Sequence, residues 1–417
     1  MHFPERRRFL KTCAALGAGA VPWGCSLFPI DQARKVIPPP DPHIVDSINA
    51  FSIDLYRQLA AKPGNLFVSP FSIESALAMT AAGAKGTTHG EMQSVLHLPG
   101  MTAHASYGFR QLSKQLTNSS DVELNIANGI WADKSVKWKK DYLLKLEEYH
   151  GGGFVDTDFS KPEKARDEVN QWVSKQTKQK IKEILSTGSI GKDTRMILAN
   201  AIYFHGKWAN KFPEKETKDG PFRGNANASP SNAKFMQQTA TFNYLRERDY
   251  QAIDLPYLGD KFSMTIILPN EKVGLPALEK LLTNKAFQSI CNEMGNKHTA
   301  EVDVKLPKFK QESSYDLITV LKEMGIREAF GPSAHFSAMH SGTDPLYISL
   351  VQHKAFIDVA EEGTEAAAAT AVAMATFGAA PSMAPEIPKF YADHPFLYAI
   401  RHRPSGAILF MGRVETV

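Results

Sequence analysis

EEGTEAAAATAVAMATFGAAPSMAP, running from Glu361 to Pro385, is the stretch on which the reading of this chain turns. Helix propensity alone takes the alanine run after Thr364-Glu365 as a helix. Alternation takes it differently. Every second residue from Thr364 gives Thr364, Ala366, Ala368, Thr370, Val372 and Met374, while the intervening set begins with Glu365 and continues as alanine. In a strand one set would face a core and the other a surface. Small side chains obstruct none of these outcomes, so the segment can be a loop, a helix or a strand inserted into a sheet.

Around it the chain alternates helical and strand patterns. Asp41-Pro42 offers an N-cap with proline at the first helical position. Ile44, Ile48, Phe51, Leu55 and Leu59 then recur at helical spacing until Pro63-Gly64-Asn65 ends the run. A second helix is predicted over 72–82, capped by Ser72 with Glu74 and Ser75 nearby. Residues 161–185 carry Val169, Trp172, Val173, Ile181, Ile184 and Leu185 in helical period. Phe262 to Leu268 reads as a strand ending at Pro269. Val302, Val304 and Leu306, alternating with Asp303 and Lys305, read as a half-buried one. Ala407 to Met411 reads as a buried strand, and Gly220 to Pro230 as a loop. No internal repeat occurs. The mixture predicts one large α+β domain with intermingled elements.

Composition narrows the function classes. In 417 residues, 43% are hydrophobic and 22% charged, which excludes a disordered chain, a coiled coil and a collagen. The net charge of +4 gives no argument for nucleic acid, and most of it sits at the N-terminus. Three cysteines cannot build a disulfide framework. Arg6-Arg7-Arg8-Phe9-Leu10-Lys11, followed by Thr12 to Val21 rich in Ala and Gly, has the layout of an export signal; the alternative is a basic tail. It resembles the twin-arginine signal, with Glu5 where Ser or Thr is more usual. Its apolar stretch is too short to span a membrane. Gly24-Cys25 resembles the end of a lipoprotein box, although Pro22 and Trp23 match poorly. The expected organisation is a signal over 1–25, a Pro-rich linker over 26–42 containing Pro38-Pro39-Pro40, and a folded domain over 43–417. The product would be exported, to an extracellular, periplasmic or cell-surface location, with Cys25 a candidate lipid tether. Cys291 would be the remaining thiol, read as a quiet buried one.

Enzyme signatures are missing: there is no G-x-S-x-G elbow, no phosphate loop, no HExxH pair and no His/Cys ligand spacing. The expectation is a protein that is not an enzyme and needs no metal or organic cofactor. A hydrolase built from distant residues is a competing reading without a motif behind it. Glu361, Gly363, Thr364, Glu365 and Ala366, Ala367, Ala368 and Ala369, with Thr370 after them, resemble the hinge of the serpin reactive loop position by position. Three further segments resemble that family in family order. They are Asn65-Leu66-Phe67-Val68-Ser69-Pro70-Phe71-Ser72-Ile73, Asn200-Ala201-Ile202-Tyr203-Phe204-His205-Gly206-Lys207-Trp208, and Tyr391-Ala392-Asp393-His394-Pro395-Phe396-Leu397-Tyr398.

The resemblance implies a single α+β domain with three β-sheets, about eight or nine helices and an exposed reactive loop over 361–385. It implies a metastable, monomeric serine protease inhibitor that acts as a suicide substrate. A chymotrypsin-like protease would attack the loop, form an acyl-enzyme, and be trapped 1:1 when the cleaved loop inserts into the main sheet. Nothing in the hinge blocks insertion: the core-facing set is small or apolar, and Gly363 supplies freedom at the pivot. Counting from Glu361 puts the scissile bond at Phe377-Gly378. Counting back from the C-terminal motif points nearer Pro381 to Met383, and Met374 and Met383 remain alternatives. A cysteine-protease target, or a non-inhibitory binding or chaperone role, are competing readings. Ser69, Ser72, Asn200 and His353 match a polar cluster beneath the main sheet, where the strands part. Trp208 matches the residue near the point where the loop first enters.

Overall fold

The computed structural model describes residues 41–100, 102–117, 121–150, 153–224, 230–297, 299–364 and 386–417. The expected signal over 1–25, Cys25, nearly all of the linker, and the loop residues 365–385 lie outside them. Helix formation begins where the sequence places it. Asp41 has extended backbone angles, and its carboxylate accepts the His43 N–H at 2.9 Å. The helix it caps, α1 (Pro42–Leu59), buries Ile44, Ile48, Phe51, Leu55 and Leu59 on one side. The other described helices are α2 (Pro70–Ala81), α3 (Gly86–Val95), α4 (Thr102–Thr117), α5 (Lys140–His150), α6 (Pro162–Gln176), α7 (Leu275–Leu281), α8 (Asn284–Lys297) and α9 (Ile318–Met324).

The strands in chain order begin with β1 (Leu66–Val68), β2 (Val122–Asp133), β3 (Phe154–Thr157), β4 (Met196–Lys207) and β5 (Lys218–Phe222). Next come β6 (Ser231–Arg246), β7 (Tyr250–Pro256), β8 (Phe262–Pro269), β9 (Thr299–Pro307) and β10 (Phe309–Asp316). The last are β11 (Leu350–Ala360), β12 (Gly363–Thr364), β13 (Lys389–Tyr391), β14 (Phe396–His402) and β15 (Ala407–Val414). One sheet orders β10-β11-β12-β4-β2-β3, with β11 and β4 also paired directly and in parallel. The other strands form a nine-stranded array. Within it β6 pairs with β5 and β9 along most of its length, then with β7 through Asn243 to Arg246. The expected three sheets are therefore one six-stranded sheet and two others that the long β6 joins end to end.

α2 runs through the centre of the core: all of its residues are buried, polar Ser72, Glu74, Ser75 and Thr80 included. Its cap is Ser69 rather than the expected Ser72, because Pro70 takes the first helical position and Ser69 keeps extended angles. A second, smaller core lies between α6 and the six-stranded sheet, with Val169 and Val173 against Ile197, Ala199 and Ala201. Trp172 of α6 meets Trp131 of β2 edge-on at 4.9 Å.

Two further expectations need correction. α6 stops at Gln176, because Lys178 and Gln179 adopt positive φ of 50° and 64°. Ile181, Ile184 and Leu185 reach the same core without a helix. The Asn170 side chain holds that return, accepting the amides of Ile184 and Leu185 at 2.9 Å and donating to the Leu185 carbonyl at 2.9 Å. The predicted loop over 220–230 is partly strand. Gly220 to Phe222 belong to β5, paired with Ser231 to Ala233 of β6, and residues 225–229 lie outside the described set.

Candidate functional site

Ser69 and Ser72, one turn apart at the start of α2, meet the distant Asn200 and His353 in one buried network. Ser69 N–H donates to His353 Nε2 at 3.1 Å, and Ser69 Oγ donates to the Leu409 carbonyl at 2.7 Å. An amide can only donate, so Nε2 accepts and the ring proton sits on Nδ1, which donates to Asn200 Oδ1. Asn200 Nδ2 reaches Ser72 Oγ at 2.5 Å and also contacts Asn128 Oδ1. Ser72 Oγ donates to that same Asn128 oxygen at 2.9 Å. Burial pulls the His353 pKa down to about 3, so its imidazole is neutral at every physiological pH. His353 and Asn200 face each other across the β11–β4 pairing, so the network ties these two strands together.

Trp208 is not part of that quartet. It lies beyond the end of β4, eight residues up from the row holding Asn200 and His353, a distance of about 26 Å along a strand. Its indole N–H donates to the Ala360 carbonyl at 2.9 Å, and its ring stacks on Tyr257 at 4.6 Å. Above it the chain turns at Glu361-Glu362 and re-enters the sheet.

That re-entry is β12. Gly363 and Thr364 run antiparallel to both neighbours, with Thr364 opposite Val359 of β11 and Gly206 of β4. Thr364 is fully buried, and its hydroxyl lies 2.7 Å from Tyr257 Oη. Gly363 has φ of +154°, and a Cβ there would stand 2.1 Å from the Gly206 carbonyl oxygen, so no other residue fits. The two glutamates of the turn are held from different sides. Lys308 Nζ donates to both oxygens of Glu361 at 3.0 and 2.7 Å, and Thr217 Oγ1 adds a bond of 2.8 Å. Burial works against ionisation of Glu361, but the Lys308 ammonium and the Thr217 hydroxyl outweigh it and hold the carboxyl below its ordinary range. Glu362 faces Lys211 at 2.6 Å.

The remaining sequence-derived candidates separate cleanly. Of the hinge, Glu361, Gly363 and Thr364 are placed as described. Glu365, Ala366, Ala367, Ala368, Ala369 and Thr370 lie outside the described residues, as do Phe377, Gly378, Met374, Met383 and Cys25. Asn128, Tyr257, Thr217, Lys211 and Lys308 were not singled out from the sequence. Each sits on another element, and only the fold brings it near the hinge or the centre. Among the described residues Glu271, Asp393 and His394 lie close enough to share a cation, but Arg223 already supplies one. Its guanidinium is 2.9 Å from Glu271 and 2.8 Å from Asp393, which makes the group an ion-pair cluster. Cys291 is half-buried, and burial pushes its thiol up to about 11.

The six-stranded sheet thus holds Gly363 and Thr364 between β11 and β4, above a buried polar network that joins the same two strands. The family model described as Serpin (serine protease inhibitor) matches residues 46–417, and the chain belongs to the serpin family. The leukocyte elastase inhibitor of Bos taurus is 40% identical over 376 residues, covering 88% of this chain and 97% of that protein. An uncharacterized serpin-like protein of Thermococcus kodakarensis is 40% identical over 374 residues, covering 89% and 85%. The crystal structure of Serpin48 from Tenebrio molitor, described as highly specific, superposes with a TM-score of 0.80 at 32% identity, covering 90% of this chain and 99% of that one. Serpins as a family act on target proteases as inhibitors and not as catalysts.

Proposed function

We propose that this serpin inhibits a chymotrypsin-like serine protease as a suicide substrate, trapping it 1:1 as an acyl-enzyme when the cleaved loop inserts between β11 and β4. The observation that carries this reading is the register of β12. It runs in the direction an inserted strand needs, and its pairings are in step with those of the strands below it. Continued downward in the cleaved protein, that register sets Thr370 between His353 and Asn200, and Ala373 between Leu350 and Ile197 at the far end. A strand over 363–373 is about 36 Å long, so a protease held just beyond it would be carried the length of the sheet.

The side chains suit both faces of that slot. The even-numbered set from Thr364 to Val372 would share the face of buried Val359, Ile357, Ala355, His353 and Val351. The odd-numbered set would lie toward α6, where Ile197, Ala199 and Ala201 are also fully buried. Both parities must therefore be small in the lower half, which is a stricter demand than burial of every second residue. Ala369, Ala371 and Ala373 meet it. Glu365 would lie higher, beside part-exposed His205 and Asp358. Phe377 follows Ala373 by four residues, a short tether from the end of the slot to the scissile bond. This supports Phe377-Gly378 over a bond near Met383.

Incubating the domain from residue 41 onward with chymotrypsin tests the reading on a denaturing gel. A band resistant to boiling, with release of a peptide beginning at Gly378, is expected. Another starting residue would keep the mechanism and move the bond. Loop cleavage without such a band, repeated with elastase-, trypsin-, subtilisin- and papain-like enzymes, would sink the inhibitory reading and leave a non-inhibitory binding role. The bovine relative's name puts leukocyte elastase early among the enzymes to try. We also propose that residues 1–25 export the protein and that Cys25 tethers it to a membrane. Fractionation of cells making the full chain, with Arg6 and Arg7 changed to Lys or with Cys25→Ser, tests each part; unchanged location in both variants would overturn them.

A further inference from the structure

The hinge turn carries two adjacent carboxylates, and they are not equally provided for. Glu361 has three donor contacts, from Lys308 and Thr217. Glu362 is nearly as enclosed, its side chain 11% exposed, yet its Oε2 meets only Lys211, 2.6 Å away and off the line of a regular hydrogen bond. No described residue donates a regular hydrogen bond to that oxygen. A carboxylate in such a place is stable only while its partner stays; without it the charge must find water.

Lys211 is placed to do more than neutralise. It lies in the segment 208–212 that leaves the top of β4 and wraps the hinge turn. Within that segment Trp208 N–H donates to the Glu362 carbonyl at 2.9 Å, and Phe212 N–H donates to the Glu361 carbonyl at 3.1 Å. Ala209 N–H, bonded to the Pro256 carbonyl at 2.9 Å, fixes the segment to β7. Glu362 directly precedes Gly363, whose pairing with Ala360 and Lys207 begins the inserted strand. Without its partner the Glu362 side chain would be drawn toward water, pulling against the Trp208 bond to the Glu362 carbonyl and the pairing of Gly363. Water is at hand. Lys211 and Trp208 also line an open groove of about 950 Å³, with Lys207, Pro213 and Leu258.

We propose that Lys211 is a positioning residue of the inhibitory reaction, its ion pair with Glu362 holding Gly363 and Thr364 in the sheet so that insertion starts from a set register. The inference rests on the inhibitory reading for its consequence, but the contact it invokes lies wholly within described residues. Lys211 does not touch the protease or the scissile bond. Its loss would leave cleavage of the loop unchanged and slow the step after it. The cleaved loop would then have to find its first two places before zipping, and more of the acyl-enzyme would hydrolyse as ordinary substrate.

The experiment compares wild type, Lys211→Gln and Lys211→Arg, each as the full chain, by peptide-level hydrogen exchange over 361–364 and by the stoichiometry of inhibition of chymotrypsin. Lys211→Gln should raise exchange of the Gly363 and Thr364 amides by about tenfold, a value kept low because the lysine side chain is 33% exposed. It should also raise the number of inhibitor molecules consumed per protease at least about twofold, with an unchanged rate of loop cleavage. Lys211→Arg, which keeps the charge, should restore both. Unchanged exchange over 361–364 in Lys211→Gln, or protection lost evenly across the whole domain, would overturn the inference while a trapping wild type keeps its function. Failure of Lys211→Arg to restore either readout would overturn it too. A wild type cleaved without any covalent band would sink the inhibitory reading and, with it, the role of Lys211 in trapping.

Discussion

Acidification should loosen this protein through His353, and the size of the effect follows from its surroundings. The ring is fully buried, accepts the Ser69 amide at Nε2, and has its pKa pulled down to about 3 by burial. In the unfolded chain the same ring titrates near 6.5. Below that value the unfolded chain binds a proton that the folded one does not. Stability is therefore lost as pH falls from about 6.5 toward about 3, at up to about 1.4 kcal/mol per pH unit. Between pH 7 and pH 5 the loss from His353 alone is about 2 kcal/mol. The assay is the midpoint of the first unfolding transition in urea, for wild type and His353→Gln, at pH 7, 6 and 5. A loss of that size lowers the urea midpoint, by less than the roughly 1 M expected of a small protein because m grows with size. His353→Gln is less stable than wild type at pH 7 but should lose about 2 kcal/mol less on going to pH 5. His402, buried and pulled down to about 4, acts in the same direction in both proteins and cancels. Equal losses in the two proteins would refute the assignment of His353 as a neutral acceptor.

Asn128→Ala removes the acceptor shared by Ser72 and Asn200; it should cost about 1–3 kcal/mol in the same urea transition. Gly363→Ala places a methyl group 2.1 Å from the Gly206 carbonyl oxygen, so it should drive β12 out of the sheet, seen as raised exchange at Thr364 and at the Val359 amide. Lys308→Met leaves Glu361 with only neutral donors, the Thr217 hydroxyl and its own backbone N–H, and should lower stability at pH 7 by about 1 kcal/mol, a figure discounted for solvent screening. Because the Glu361 carboxyl is held below its ordinary range, that contribution is present at neutral pH and fades as pH falls through the lowered value, so wild type and variant should converge in acid melting curves. Cys291, its thiol pushed up to about 11, should resist a disulfide reagent at pH 8 until the protein is unfolded.

Local chemistry and periodicity made much of the frame readable before any coordinates. Asp41 and Pro42 start α1 because a carboxylate can cap and a proline can begin a helix wherever they stand. Val302, Val304 and Leu306 lie on the buried face of β9 because a strand alternates its faces regardless of its neighbours. The family motifs placed Ser69, Ser72, Asn200 and His353 together, and the fold does bring them into one network. Periodicity misled at 181–185, where apolar residues return to the α6 core without a helix. The spacing records that they are buried, not the backbone path that buries them.

What the chain determined by itself is therefore a handful of elements, α1, α2, the start of α6, β8, β9 and β15, and the small or apolar character of most of residues 364–374, since these depend on each residue and its near neighbours. The tertiary structure alone decided which partners meet. Asn128 completes the central network, Lys308 and Lys211 grip neighbouring glutamates from different elements, and Tyr257 receives Thr364. Such pairs join residues more than fifty positions apart, and no local pattern marks a lysine as the one that will face a given carboxylate. The register of β12 between β11 and β4, which sets Thr364 opposite Val359 and Gly206, likewise depends on the closing of the whole sheet.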